Sequence, residues 1–164
     1  MPTISSHNHE SRQNTHLVIA VIAALFICTA AAYIPVTGAG WVYDDVNLVK
    51  PSPALEDLAG LGRAVSTDLY TQAAPRLEES PYWRPLTMTS YWFDTRFGEP
   101  PLVLHIGNII IHALATALLA FVVMRRHGGM AGIIAAAMAA GWWGLHPQNT
   151  EPVAWISTRY DLIW

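Results

Sequence analysis

Charged residues are scarce in this chain, and that scarcity is the first guide to its class. Only 13% of its 164 residues are Asp, Glu, Lys or Arg, and 52% are hydrophobic, whereas soluble domains carry about 25% charged residues. The net charge of −3 gives no basic surface, so nothing indicates a nucleic-acid partner. The apolar residues are concentrated in blocks, which indicates membrane-spanning segments.

Cysteine is almost absent too, and the chain has no internal repeat and no low-complexity tract. The single cysteine, Cys28, lies inside the first apolar run, where we expect it to serve in packing. One thiol in that position carries no information about redox compartment.

Three apolar runs have the composition of membrane helices. Residues 17–34 hold no charge over 18 positions, close to the length that a helix needs to cross a ~30 Å hydrocarbon core. We expect transmembrane helices at 16–35, 101–124 and 128–145, the last rich in small residues that let helices approach closely. The predicted fold class is therefore all-α, a polytopic transmembrane helix bundle that packs against membrane lipid.

Two questions concern the ends of the chain: whether the first apolar run is cleaved as a signal peptide, and whether the chain is part of a longer protein. TAAA near the end of the first run resembles the cleavage region of a signal peptide, but the run is long and only Arg12 precedes it as a fixed positive charge. These features favour an uncleaved span. At the other end the chain stops at DLIW as a fourth apolar run begins, so we expect it to be the N-terminal part of a longer membrane protein.

Topology follows from the short 125–127 loop, which carries two arginines and a histidine. Because positively charged short loops stay in the cytoplasm, this loop and the N-terminal residues 1–15, expected to be disordered, are predicted to be cytoplasmic. The 36–100 loop and the 146–164 segment then face the bacterial periplasm or the ER lumen.

The long 36–100 loop is too polar to span, and it contains three features of interest. Adjacent carboxylates, Asp44 and Asp45, follow the first span. Residues 55–65 place leucines at helical spacing, which predicts a short amphipathic helix either on the membrane surface or packed against the rest of the loop. Residues 80–94 are rich in aromatics, as in an interfacial belt or a surface that stacks on sugars or lipid headgroups.

Three polar residues interrupt the second span at spacings of i, i+3 and i+7: His105, Asn108 and His112. They share one helix face, and that face must contact protein or a wet cavity because polar groups in lipid are costly. The stripe forms interhelical hydrogen bonds, or it lines a cavity that holds a polar or phosphorylated ligand. No carboxylate or cysteine accompanies the histidines at a metal-ligand spacing, so a zinc site is not favoured.

The 146–164 segment, HPQNTEPVAWISTRYDLIW, brings charge back after the third span. We expect a helix to begin at Thr150 as N-cap, with Pro152 in its first turn. On that helix Glu151 and Arg159 fall close to one face. Arg159 suits contact with a phosphate, whose oxygens match the guanidinium fork, or an internal ion pair with a carboxylate.

The order of these motifs is informative. YDD after the first span is followed by YWRPL, by H-x-x-N-x-x-x-H in the second span, and by HPQNTEPVAWISTRYDL after the third. This order resembles the N-terminal part of the GT-C membrane glycosyltransferases, most closely the protein O-mannosyltransferase-like group with C-terminal tetratricopeptide repeats. The resemblance covers about residues 16–164, and its last motif is the most specific.

The resemblance implies an enzyme that uses a polyprenyl-phosphate sugar as donor and a protein or glycan as acceptor. It places an acidic general base in the first extracytoplasmic loop, here Asp44 or Asp45, and leaves open which of them acts. A divalent ion bound by the pair is an alternative that the resemblance does not favour, and no other cofactor is implied. The candidates for the donor phosphate or the active-site wall are Arg84, His105, Asn108, His112, His146, Glu151 and Arg159.

Overall fold

The computed structural model describes residues 4–52, 55–67 and 83–163, with side chains from residue 15 onward. Across these ranges every regular element is helical, as the all-α prediction requires. The α-helices are α1 (Ile4–Tyr33), α2 (Leu58–Ser66), α3 (Pro85–Asp94), α4 (Leu102–His127), α5 (Gly129–Gly144), α6 (Thr150–Ala154) and α7 (Arg159–Ile163). Short 3-10 helices at Ile34–Gly38 and Pro147–Asn149 and a π-helical turn at Asp45–Val49 lie between them.

Two segments in the described part of the chain are long and apolar enough to cross a membrane, namely Thr15–Gly38 and Leu102–His127. They correspond to the first and second predicted spans. Gly129–Gly144 is apolar but shorter, so the third span stays a prediction.

The N-terminal region differs from expectation. Helix α1 begins at Ile4, so most of the segment expected to be disordered is helical, and residues 1–3 lie outside the described ranges. Cys28 is exposed on α1, so the packing role expected for it is wrong.

The chain divides into two compact units, Met1–Ala32 with His112–Pro147, and Tyr33–Ile111 with Gln148–Trp164. In the first unit, α5 buries a small residue at every fourth position: Gly132, Ala136, Ala140 and Gly144. A Cβ atom at Gly144 would lie 2.6 Å from Oγ1 of Thr116 and 2.8 Å from Oγ1 of Thr29. The helices therefore approach as closely as the Gly/Ala-rich composition of this run predicts.

The second unit has its own apolar core, built around Val49, Ala64, Met88, Tyr91, Leu104 and Ile156. Helix α2 packs against α3 and directs Leu61 and Val65 onto this core, while Leu58 remains 68% exposed. Of the two interpretations of the amphipathic segment, packing against the rest of the loop is the one observed.

The segment after α5 does not form the continuous helix that was expected from Thr150. Helix α6 ends at Ala154 because Trp155 is extended, with φ −89° and ψ 128°, and its N-cap is Asn149 rather than Thr150. The prediction that Glu151 and Arg159 share a helix face is therefore wrong, since Glu151 is exposed and Arg159 is fully buried.

The helix breaks because side chains take up the backbone groups that would continue it. The amide of Asn108 donates to the carbonyls of Val153 and Trp155 at 3.1 and 3.0 Å. The carboxylate of Asp45 accepts from the backbone N–H groups of Ile156 and Ser157. Local helix propensity is thus overridden by hydrogen bonds from elements distant in sequence.

Candidate functional site

The two adjacent carboxylates of the first loop occupy different environments. Asp45 is fully buried, and it accepts backbone hydrogen bonds from Ser157 at 2.7 Å and from Ile156 and Val42 at 3.3 Å. Asp44 is exposed and makes no side-chain capping bond at the π-helical turn that follows it. A buried carboxylate needs such partners, so Asp45 serves to fix the backbone of the segments that it bonds. Asp44 is the carboxylate that is open to a ligand.

The turn that presents Asp44 contains a strained residue. Tyr43 has a φ of +46°, a left-handed conformation that is rare for a bulky side chain. Backbone bonds secure the turn on both sides, from Asp45 N to the carbonyl of Val42 at 2.9 Å and from Val46 N to the carbonyl of Tyr43 at 3.2 Å. Strain of this kind persists only where the surroundings fix the backbone.

Arg159 is the centre of a buried polar network. Its Nε donates to Oδ1 of Asn108 at 2.6 Å and its Nη2 to the carbonyl of Leu104 at 2.5 Å. Its Nη1 lies 2.6 Å from Oδ2 of Asp94 and 3.1 Å from Oγ of Ser90. The guanidinium is enclosed by protein. Of the two alternatives that the sequence left open for Arg159, phosphate contact or an internal ion pair with a carboxylate, the structure shows the ion pair.

The ion pair between Arg159 and Asp94 is closely packed against Gly107 of α4. Gly107 faces the ion pair so closely that a Cβ atom there would collide with the carboxylate of Asp94 and with Arg159. Burial raises the pKa of Asp94 above its ordinary value, and the adjacent Arg159 only partly offsets this rise in the pKa. The carboxylate therefore holds a proton more readily than a free aspartate does.

Tyr91 fastens the same segment from α3. Its hydroxyl donates to the carbonyl of Ile156 at 2.5 Å, and the guanidinium of Arg159 lies 4.6 Å from the centre of its ring. Burial raises the pKa of Tyr91 far above the ordinary phenol value. The hydroxyl thus stays protonated and keeps its role as a donor.

The polar stripe of α4 is buried along its whole length, as the shared face predicted: His105, Asn108 and His112 are all 0% exposed. Asn108 binds the 153–155 backbone, and Nε2 of His112 donates to the carbonyl of Gly144 at 2.9 Å within the first unit. The ring of His105 lies beside the backbone of Ala39 and Gly40 but makes no hydrogen bond of good geometry. Asn108 and His112 therefore act as hydrogen-bonding groups between segments.

The remaining candidates each make separate contacts within their own unit. Arg84 is half-buried, with its guanidinium 3.4 Å from the ring centre of Tyr160, and Glu151 is exposed at the start of α6. His146 belongs to the first unit, where its ring packs edge-on against Trp142 at 5.4 Å. In the described ranges no three His, Cys, Asp or Glu side chains form a group that fits a metal ion.

Sequence reasoning missed the partners that organise the second unit. Asp94 was one acidic residue among nine in the 36–100 loop, and nothing in its local sequence marked it as the partner of Arg159. Gly107 offered the better signal, because a glycine inside an apolar helix often marks a close approach by another element. Tyr43 gave no signal, since its strain is a property of the folded turn.

Comparison with known proteins finds similarity to curated protein O-mannosyl-transferases. The chain is 30% identical over 142 residues to Tmtc2 of Drosophila melanogaster, 29% identical over 147 residues to Tmtc1 of the same fly and 26% identical over 133 residues to a Caenorhabditis elegans relative. These matches cover 80% to 86% of this chain but only 15% to 19% of each relative. No family model and no solved structure matches the chain. It is thus a distant homologue, over part of their length, of proteins named protein O-mannosyl-transferases.

Proposed function

We propose that this chain forms the N-terminal membrane part of a glycosyltransferase. The enzyme moves a mannose-like sugar from a polyprenyl-phosphate donor to a hydroxyl of a protein or glycan on the extracytoplasmic side of the membrane. The observation that carries the proposal is the contrast between buried Asp45 and exposed Asp44. It leaves one carboxylate free, in a rigid turn, within a chain similar to curated mannosyl-transferases.

In this proposal Asp44 is the general base. Its carboxylate takes the proton of the acceptor hydroxyl while that oxygen attacks the anomeric carbon of the donor sugar. A carbon–oxygen bond to the acceptor forms, the carbon–oxygen bond to the phosphate breaks, and polyprenyl phosphate leaves. Asp45 takes no part in the proton transfer, because its oxygens already accept from three backbone amides.

The other candidate residues take two kinds of role. Arg84 is our candidate for the donor phosphate, because Tyr160 orients its guanidinium and such a fork matches phosphate oxygens. Asn108, His112 and Arg159 have their polar atoms engaged by the protein, so we assign them to holding the fold. Glu151, which is exposed, and His105 remain candidates for the active-site wall. His146 belongs to the first unit and is assigned no role in the site of the second unit.

The proposal also requires the topology set by the 125–127 loop. With that loop in the cytoplasm, the turn that carries Asp44 faces the periplasm or the ER lumen. Polyprenyl-phosphate sugar and acceptor would then meet on that side.

The test uses membranes that contain the full-length protein and a radiolabelled polyprenyl-phosphate mannose. Wild-type membranes are expected to incorporate label into membrane protein above the level of control membranes, Asp44→Asn membranes are expected to match the control, and Asp44→Glu is expected to retain part of the rate. Incorporation by Asp44→Asn at the wild-type rate would contradict the assignment of the base.

A non-catalytic integral membrane scaffold is the second candidate. The observation in its favour is the internal engagement of Asn108, His112 and Arg159, which uses polar groups for architecture alone. The same assay, extended to a series of labelled polyprenyl-phosphate sugars, separates the two candidates, because a scaffold incorporates no label from any of them even when the full-length protein is folded.

A further inference from the structure

We infer that Tyr43 and Trp155 form a stacking subsite for the sugar ring of the donor, directly beside Asp44. The two rings lie 5.2 Å apart between centres, tilted by 40°. Tyr43 is the residue before Asp44, and neighbouring Cα atoms are about 3.8 Å apart. The ring and the carboxylate that takes the acceptor proton are therefore carried by adjacent residues of one turn. The inference deepens the proposed function and rests on it.

The first argument is the cost of presenting Tyr43. Its left-handed backbone is one that glycine or asparagine adopts far more readily. Burial of the ring does not offset this strain energy, because 73% of the residue is exposed. An aromatic side chain that is held out under strain, with little packing in return, is expected where it contacts a ligand.

The second argument is that the platform is rigid. The Trp155 carbonyl accepts from Nδ2 of Asn108 at 3.0 Å and from Oγ1 of Thr158 at 2.9 Å. The turn under Tyr43 is tied to the next two residues, Ile156 and Ser157, through Asp45. Both rings are thus carried by backbone that is fixed before a ligand arrives, which lowers the cost of binding.

The chemistry of the platform suits a pyranose. An aromatic face carries partial negative charge, and the C–H groups on the flat face of a sugar, polarised by the ring oxygen, are complementary to it. The exposed Asp44 supplies an acceptor for sugar or substrate hydroxyls at the edge of the platform. An acceptor protein must bring only one hydroxyl to Asp44, so the exposed aromatic face of Tyr43 is assigned to the donor sugar.

The test compares the binding of two lipids to the purified full-length protein: polyprenyl-phosphate mannose, and polyprenyl phosphate without the sugar. Tyr43→Gly removes the ring and also removes the backbone strain, so the thermal midpoint is expected to stay equal or rise. We expect this variant to bind the mannosyl lipid about fivefold more weakly, in line with one lost aromatic contact, and to bind the sugar-free lipid as wild type does. Tyr43→Phe, which keeps the ring, is expected to bind both lipids as wild type does.

Phe97→Ala is the matched control. Phe97 is equally exposed, at 72%, and it also belongs to an aromatic pair, with Phe93 at 5.0 Å; its removal is expected to change neither affinity. The subsite would be overturned if Tyr43→Gly lost affinity for both lipids equally, or if it kept the wild-type affinity for both. A wild-type protein that binds neither lipid would instead contradict the proposed function on which the subsite rests.

Discussion

The carboxylate of Asp45 accepts a hydrogen bond from the backbone amide of Ser157 at 2.7 Å, although 112 positions separate them. This bond joins the loop after the first apolar helix to the segment that follows α6. The same segment is held by Tyr91, through the carbonyl of Ile156, and by Asn108, through the carbonyl of Trp155. The turn that presents Asp44 is therefore built on contacts from three distant parts of the sequence.

Replacement of Arg159 tests whether this network stabilises the second unit. Arg159→Met leaves the carboxylate of Asp94, the carbonyl of Leu104 and Oδ1 of Asn108 without their donor. Because losing one partner of a buried pair typically costs about 3–5 kcal/mol, the thermal midpoint of the purified protein should fall by many degrees.

The Arg63–Glu56 pair is the control for this substitution. Its atoms are 3.6 Å apart and its side chains are 59% and 68% exposed, and such surface pairs contribute about 0–1 kcal/mol. Arg63→Met should leave the thermal midpoint almost unchanged. Equal small effects of the two substitutions would show that the Arg159 network does not support the fold.

The raised pKa of Asp94 predicts how stability depends on pH. A carboxyl group whose pKa is higher in the folded protein binds its proton more tightly when folded. Its contribution to stability is therefore complete below the ordinary aspartate pKa and is lost as the pH rises through the raised pKa. Chemical unfolding across the acidic range should show this decrease from the Asp94 titration.

Asp94→Asn should remove that part of the pH dependence. At neutral pH the variant should lose less stability than Arg159→Met, because the raised pKa means that burial of the charged carboxylate costs more than its ion pair returns. A wild-type protein and an Asp94→Asn variant with parallel pH profiles would contradict the raised pKa.

The coarse fold follows from the sequence because apolar length and composition are local properties. Residues 17–34 and the run before His127 specify membrane-length helices by themselves, and the spacing of His105, Asn108 and His112 specifies one buried face. The break at Trp155 is different, because it depends on hydrogen bonds from Asn108 and Asp45 that exist only after the unit has folded.

The candidate site likewise has features that the local sequence specifies and features that arise only after folding. The sequence identified the adjacent carboxylates but had no means to tell Asp44 from Asp45, because their difference is burial against the backbone of Ile156 and Ser157. It also offered the internal ion pair of Arg159 as one alternative, but the partner, Asp94, is set by the packing of α3 on the rest of the unit.

Close packing of α5 can be tested with two glycines on the same helix. Gly144→Ala would place a Cβ atom 2.6 Å from Oγ1 of Thr116, and overpacking of this kind costs about 1–3 kcal/mol. Gly141→Ala meets only Cδ2 of Leu25, at 3.4 Å, and should gain up to about 1 kcal/mol from higher helix propensity. Thermal unfolding should therefore move in opposite directions, and a shift of both variants in the same direction would argue against the tight interface.

Topology can be tested by labelling cysteines in intact membranes. Since Cys28 is exposed, it is first replaced by alanine, and single cysteines are then placed at the exposed positions Asn47 and Arg126. A membrane-impermeant maleimide should label Asn47→Cys from the extracytoplasmic side and Arg126→Cys only after the membrane is opened. Labelling of both from one side would contradict the orientation.

The most direct measurement compares Asp44→Asn with Asp45→Asn in the full-length protein, with mannose transfer and thermal midpoint recorded for both. Asp44→Asn should abolish transfer at an unchanged thermal midpoint, because its carboxylate is exposed. Asp45→Asn should lower the free energy of unfolding by about 1.5–3 kcal/mol, since it weakens charge-assisted bonds to buried amides, and the fraction that remains folded should still transfer mannose. Full transfer by Asp44→Asn, together with none by stably folded Asp45→Asn, would contradict the account.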